Sequence, residues 1–261
     1  MHLRLLLEYD GTDFAGWQVQ AGGERTVQGA LGEALRRVCG AEAEVVGAGR
    51  TDAGVHALGQ VAGVRVVTRL GPAELQRALN AVLPADLAVR AAEAAPPEWH
   101  PRHDARSKLY RYAIWNGRAR SPRRARFSHF VPRPLDVAAM AAAAAHLVGR
   151  RDFRSFQGAG SDVETTVRTL FGARVSGEPG AELTLELEGD GFLRHMVRNV
   201  AGTLLQVGLG ERPAGSLPAL LEARDRTRAG PTAPARGLTL VEVRYDERFP
   251  RNPGELPPRG A

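Results

Sequence analysis

The sequence predicts an α+β protein built from two halves that share one order of elements. Three observations lead there. Short apolar runs of strand character alternate with stretches whose apolar residues recur at helical spacing. The order strand, helix, strand, strand, helix, strand occurs once before a proline cluster (Pro96, Pro97 and Pro101) and again after it. The 261 residues, 43% hydrophobic and 25% charged, suffice to bury a core in one large domain or two small ones.

In the first half, His2 to Tyr9 reads as a strand. Thr26 is placed to cap a helix whose apolar positions are Val27, Ala30, Leu31, Ala34, Leu35 and Val38. Glu44 to Ala48 and Gln60 to Thr68 read as strands. Pro72 opens a helix running through Leu83, at a position where a missing N–H is harmless. Leu87 to Ala94 completes the unit as a strand.

In the second half, Lys108 to Trp115 alternates like a strand and Asp136 to Val148 is an alanine-rich helix. Val167 to Ser176 and Leu183 to Glu188 are strands, Phe192 to Val207 and Leu217 to Arg224 helices, and Leu238 to Tyr245 the last strand. Two such units correspond to two ferredoxin-like, RRM-like halves in βαββαβ order, a topology also used to bind RNA. They are expected to form a mainly antiparallel sheet with helices on one face. The expected division is residues 1–100, residues 101–246, and a tail over 247–261 rich in Pro, Gly and charge.

The net charge is +6 and the isoelectric point about 10.3, which points to an acidic partner, most commonly nucleic acid. Of the 35 basic residues only Lys108 is a lysine. The remainder are guanidinium groups, which bind phosphates bidentately and stack on bases. The lone cysteine, Cys39, excludes an intramolecular disulfide framework and a cysteine-rich zinc site. No stretch reads as a signal peptide or membrane span, so a cytoplasmic protein is expected.

Residues 47–56 read Gly-Ala-Gly-Arg-Thr-Asp-Ala-Gly-Val-His and lie between two predicted strands. Gly47 and Gly49 after a strand suggest a dinucleotide fingerprint, but no helix pattern follows and the third glycine is misplaced. By residue chemistry alone, Asp52 beside Gly54 is a turn residue and His56 a structural histidine.

A specific resemblance changes that reading. Gly49-Arg50-Thr51-Asp52-Ala53-Gly54-Val55-His56-Ala57 is similar to the catalytic motif of the tRNA pseudouridine synthase A family. The segments Tyr9 to Gln18, Thr26 to Leu31, Ala105 to Tyr112, Phe192 to Asn199 and Ala235 to Leu238 resemble the family in the same order. The resemblance implies that Asp52 is the catalytic carboxylate in the isomerisation of uridine to pseudouridine, with a target around positions 38 to 40 of the anticodon arm that must be flipped out. Nothing enters or leaves in that reaction, so neither cofactor nor metal is expected. An ionised carboxylate is favoured by a neighbouring guanidinium, and the resemblance suggests Arg198 for it. Arg194 and Arg198 are four apart and are expected to share a helix face. Tyr110 and Tyr112 point to one face of their strand. Both read as core by pattern, and the resemblance selects Tyr110 for the target base. It assigns Arg50 to the flipped state, and His100, Arg102 and the loop Gly158, Ala159, Gly160, Ser161, Asp162 to RNA contact. Pro101 and His103 depart from the family's alanine and phenylalanine. Arg118, Arg120, Arg123, Arg124 and Arg126 form a basic loop that reads either as solvated or as phosphate-binding. The resemblance also implies a homodimer that shares one tRNA.

Two other readings stand beside this one. A non-catalytic RNA-binding module explains charge and topology but not the glycine-flanked Asp52 with Arg50 and Tyr110. A glycosidase-like hydrolase needs a second carboxylate, for which only Asp162 and Glu164 offer themselves.

Overall fold

The computed structural model describes residues 1–160 and 163–246. Ser161, Asp162 and the tail over 247–261 lie outside the described residues. The chain is α+β with mostly antiparallel strands. It divides into two compact units, one comprising Met1–Arg106 with Leu240–Asp246, the other Ser107–Thr239.

The first unit contains β1 (His2–Tyr9), α1 (Val27–Cys39), β2 (Glu44–Gly47), β3 (His56–Arg65), α2 (Pro72–Val82) and β4 (Leu87–Ala94). β1 pairs antiparallel with both β3 and β4, and β2 pairs antiparallel with β3. The resulting order, β4-β1-β3-β2, is that of a split βαβ unit. Thr26 caps α1 by accepting from Gly29 N, and the helix buries Val27, Leu31, Ala34 and Leu35. Gly40 ends it in the left-handed conformation. The sheet is covered on both faces. Leu3, Leu5 and Leu7 are wholly buried on one. On the other, Arg4 is buried between Glu93 (3.9 Å) and the Tyr245 ring (5.5 Å). Gly63 pairs with Arg4, and a Cβ there would lie 2.9 Å from Pro101. The proline-rich segment therefore packs flat on this face, where Tyr245 Oη donates to Pro101 O (2.7 Å).

The second unit contains β5 (Ser107–Trp115), β6 (His129–Phe130), α3 (Val137–Ala145), β7 (Gly149–Asp152), β8 (Val167–Gly177), β9 (Glu182–Gly189), α4 (Met196–Gly208) and α5 (Leu217–Ala223). Its strand order is β5-β9-β8-β7, antiparallel throughout, with β6 added parallel to β5. The short strands β6 and β7 have no counterpart in the apolar pattern, because residues such as Arg150 and Arg151 carry no alternation. The last strand, β10 (Leu238–Arg244), clusters with the first unit from Leu240 on.

Two elements differ from expectation. β3 begins at His56, because Ala57 pairs with Tyr9 across a bulge and draws the catalytic-motif loop into the sheet. α4 begins at Met196, not at Phe192. His195 has φ +58, a left-handed conformation that interrupts any helix. Arg194 thus lies ahead of the helix, and the expected shared face with Arg198 does not form.

Candidate active site

In the first unit, Asp52 sits at the head of a turn in the loop between β2 and β3. Val55 N donates to Asp52 O (3.1 Å), and Gly54 has φ +76 at the third position, where only a residue without Cβ is unstrained. Asp52 therefore occupies the turn position that residue chemistry alone inferred for it.

The loop is clasped by residues 9–17. Trp17 N donates to Thr51 O (3.0 Å) and Gly54 N to Phe14 O (3.2 Å). Gly11 N donates to His56 Nδ1 (3.0 Å), which makes His56 a structural acceptor at the loop's end. Contact is so close that a Cβ on Gly11 would lie 2.0 Å from Val55 O, and one on Gly16 2.8 Å from Thr51 O. Beneath the turn, Tyr9 Oη and Thr51 Oγ1 share a hydrogen bond of 2.9 Å, and Gln60 Nε2 donates to Gly49 O (2.8 Å). Burial raises the Tyr9 phenol to about 12, so it remains neutral. The outcome is a hydrogen-bonded backbone cradle that leaves Asp52 partly exposed and Arg50 exposed. Preorganised geometry of this kind suits a nucleophile or base.

His100 and Arg102 lie in a tight turn of the same unit. His100 Nδ1 accepts from Arg102 N (3.1 Å) and His103 N (3.2 Å), while His100 N donates to Asp104 Oδ2 (2.9 Å). The turn presents Arg102 and His103 to solvent.

In the second unit, Tyr110 is buried on β5, edge-on to Phe192 with ring centroids 5.0 Å apart. Tyr112, on the same face, is wholly buried and donates to Pro234 O (2.9 Å); burial raises its pKa. Arg198, in the first turn of α4, donates through Nε to Ala233 O (2.8 Å). The loop from Gly158 is held by a residue the sequence reading left out of the site, Arg194. Its carbonyl accepts from Gly158 N (2.7 Å), and its Nη1 donates to Ala159 O (3.0 Å) and Gly160 O (3.1 Å). A Cβ on Gly158 would lie 2.7 Å from His195 Nδ1. The left-handed His195 and this loop are thus one packed arrangement, the setting in which strained residues persist. Arg118, Arg120, Arg123, Arg124 and Arg126 of the basic loop are all exposed, and Arg124 also bonds Glu182 (3.1 Å) and lies 4.5 Å over Trp115. Asn199, wholly buried in the motif segment, was another residue whose role pattern alone did not reveal. The signal was present: a polar residue beside Arg198, flanked by Val197 and Val200, in a largely apolar helix. Among the described residues no group of three His, Cys, Asp or Glu side chains could hold a metal.

The model of the tRNA pseudouridine synthase family matches residues 6–104 and 143–246, spanning the Asp52 loop, α4 and β10. The chain belongs to that family. Curated relatives named tRNA pseudouridine synthase A agree over nearly the whole length. One from Solidesulfovibrio magneticus is 49% identical, covering 93% of this chain and 90% of its own. One from Myxococcus xanthus is 47% identical, covering 97% and 95%. One from Moorella thermoacetica is 47% identical, covering 93% and 99%. By membership this chain is a pseudouridine synthase, an isomerase. No helix among the described residues is long and apolar enough to cross a membrane.

Proposed function

We propose that the protein converts uridine to pseudouridine in the anticodon stem-loop of tRNA, around positions 38 to 40, on a nucleotide flipped out of the stack. The observation that carries this reading is Asp52 itself. It is a partly exposed carboxylate at the head of a turn whose backbone is clasped from residues 9–17. The reaction breaks the C1′–N1 bond and makes a C1′–C5 bond, with C5 losing a proton and N1 gaining one. Atoms and electrons balance without a co-reactant. Asp52 supplies the carboxylate that acts at the ribose or the base, Tyr110 serves the target base, Arg198 the carboxylate's charge, and Arg50 the flipped state. His100, Arg102, the loop Gly158 to Ser161, Arg123 and Arg124 grip the RNA. The working form is a cytoplasmic homodimer, twofold dimers being the commonest assembly.

The test is pseudouridine mapping in unmodified tRNA transcripts incubated with the protein. Asp52→Asn keeps shape and removes charge, so isomerisation falls to background while tRNA binding persists. Substantial turnover by Asp52→Asn overturns the mechanism. Free uracil as product replaces it with hydrolysis.

A further inference from the structure

Beneath Arg198 lies a polar cluster to which the reaction as described assigns no task. Asn199, fully buried, accepts at Oδ1 from Arg226 Nη2 (2.9 Å) and Thr232 Oγ1 (2.6 Å), and donates through Nδ2 to Phe156 O (2.8 Å). Arg226 also donates to Gly230 O (3.0 Å) and Thr232 Oγ1 (3.1 Å). Thr203 Oγ1 accepts from Gly230 N (2.9 Å). The irregular segment 230–233 is thereby drawn flat onto α4, so closely that a Cβ on Gly202 would lie 1.8 Å from Pro231 O. Its last residue grips the functional arginine from both sides of the backbone: Ala233 N donates to Arg198 O (3.1 Å), and Ala233 O accepts from Arg198 Nε (2.8 Å).

We infer that Arg226 is a positioning residue for Arg198, acting through segment 230–233. The inference rests on the reading above that Arg198 serves the reaction. A guanidinium is planar, so fixing its Nε–H on a carbonyl fixes the plane and the aim of both Nη groups. The carbonyl in question belongs to a segment without regular structure, which has no ladder of its own to hold it. Arg226 constrains the middle of the segment, between the bonds of Thr203 to Gly230 and of Tyr112 to Pro234. Its fork spans Asn199 on the helix and Gly230 and Thr232 on the segment, and among the described residues its hydrogen bonds go only to these neutral acceptors. Lysine at this position would keep the charge but not the fork. The amide of Asn199 also joins the segment to Phe156 O, two residues before the Gly158 loop.

The experiment is a double-mutant cycle on the full chain, read as the single-turnover rate at saturating tRNA, with Kd for tRNA and Tm measured in parallel. Arg226→Lys is expected to slow isomerisation by about tenfold to a hundredfold, the scale of a small misplacement at a reacting centre, with Kd within about twofold of wild type. In an Arg198→Lys background the same change should alter the rate by less than about twofold, because the group it positions is already gone. Thr232→Val removes two bonds of the cluster, the one it donates to Asn199 Oδ1 and the one it accepts from Arg226 Nη2, with little change of shape. It should show the same non-additivity with a smaller effect, and carries the test if Arg226→Lys fails to fold. Additive effects, or an unchanged rate in Arg226→Lys, overturn the inference alone. Full activity in Arg198→Lys by itself removes the reading of Arg198, and the inference with it.

Discussion

Tyr9 lies under the Asp52 turn, and its hydroxyl joins Thr51 and Gln60 across 42 and 51 residues of sequence. All three side chains are buried, and the Thr51 hydroxyl relies on Tyr9 for its hydrogen bond. Tyr9→Phe keeps the ring and strands the Thr51 hydroxyl, while Gln60 keeps its bond to Gly49 O, at a cost of about 1 to 3 kcal/mol. For a chain of this size that corresponds to a fall in Tm of roughly 2 to 4 °C per kcal/mol. Because Thr51 precedes Asp52, the isomerisation rate should fall as well. Calorimetry together with single-turnover kinetics checks both, and a variant with wild-type Tm and rate would show the turn to be held by its backbone contacts alone.

At the scale of an element, the turn from His100 to Asp104 depends on an unprotonated ring nitrogen. His100 Nδ1 accepts two backbone N–H groups, so a proton on it would remove both bonds. Burial is the largest cause holding the His100 pKa below its ordinary value of 6.5. The charges of His103 and Arg102 push it the same way, against Asp104 and Glu44. The folded turn therefore binds the proton less readily than the unfolded chain. Its contribution is present above about pH 6.5 and is lost as pH falls through the lowered value. In an NMR titration the amide signals of Arg102 and His103 should move together, with a midpoint below 6.5. A midpoint at or above 6.5 contradicts this account. If Arg102 grips RNA, affinity should weaken over the same range, opposite in sign to the usual gain from protonated histidines.

At the scale of the whole molecule, the net charge of +6 predicts a steep fall in tRNA affinity with salt as counterions are released. The two arginines of the basic loop should not contribute equally. Both are exposed, but the Arg124 guanidinium is already bonded to Glu182 and stacked on Trp115. Arg123→Ala should lower the slope of log Kd against log salt by up to about 0.9, the value for one duplex phosphate, and Arg124→Ala by less. Equal slopes for both variants and wild type would return the loop to a solvated surface. Light scattering tests the proposed homodimer on the same preparations, and a monomer would remove it.

The element order was legible in the sequence because periodicity is local. The alternation in β5, and the spacing of Val27, Leu31, Ala34 and Leu35 in α1, record which side of each element is buried. The motif spacing around Asp52 and the resemblance of five further segments were equally legible, and family membership followed from them. Other features were decided by contacts between distant residues, which leave no period. The apolar spacing of Phe192, Leu193, Met196 and Val197 continues a helix backwards, yet His195 turns left-handed where its ring packs against Gly158. The Asp52 turn is built by residues some 40 positions earlier, and the aim of Arg198 by a carbonyl 35 positions later. A hydrogen bond has direction and a partner, and the partner is known only when the chain has folded.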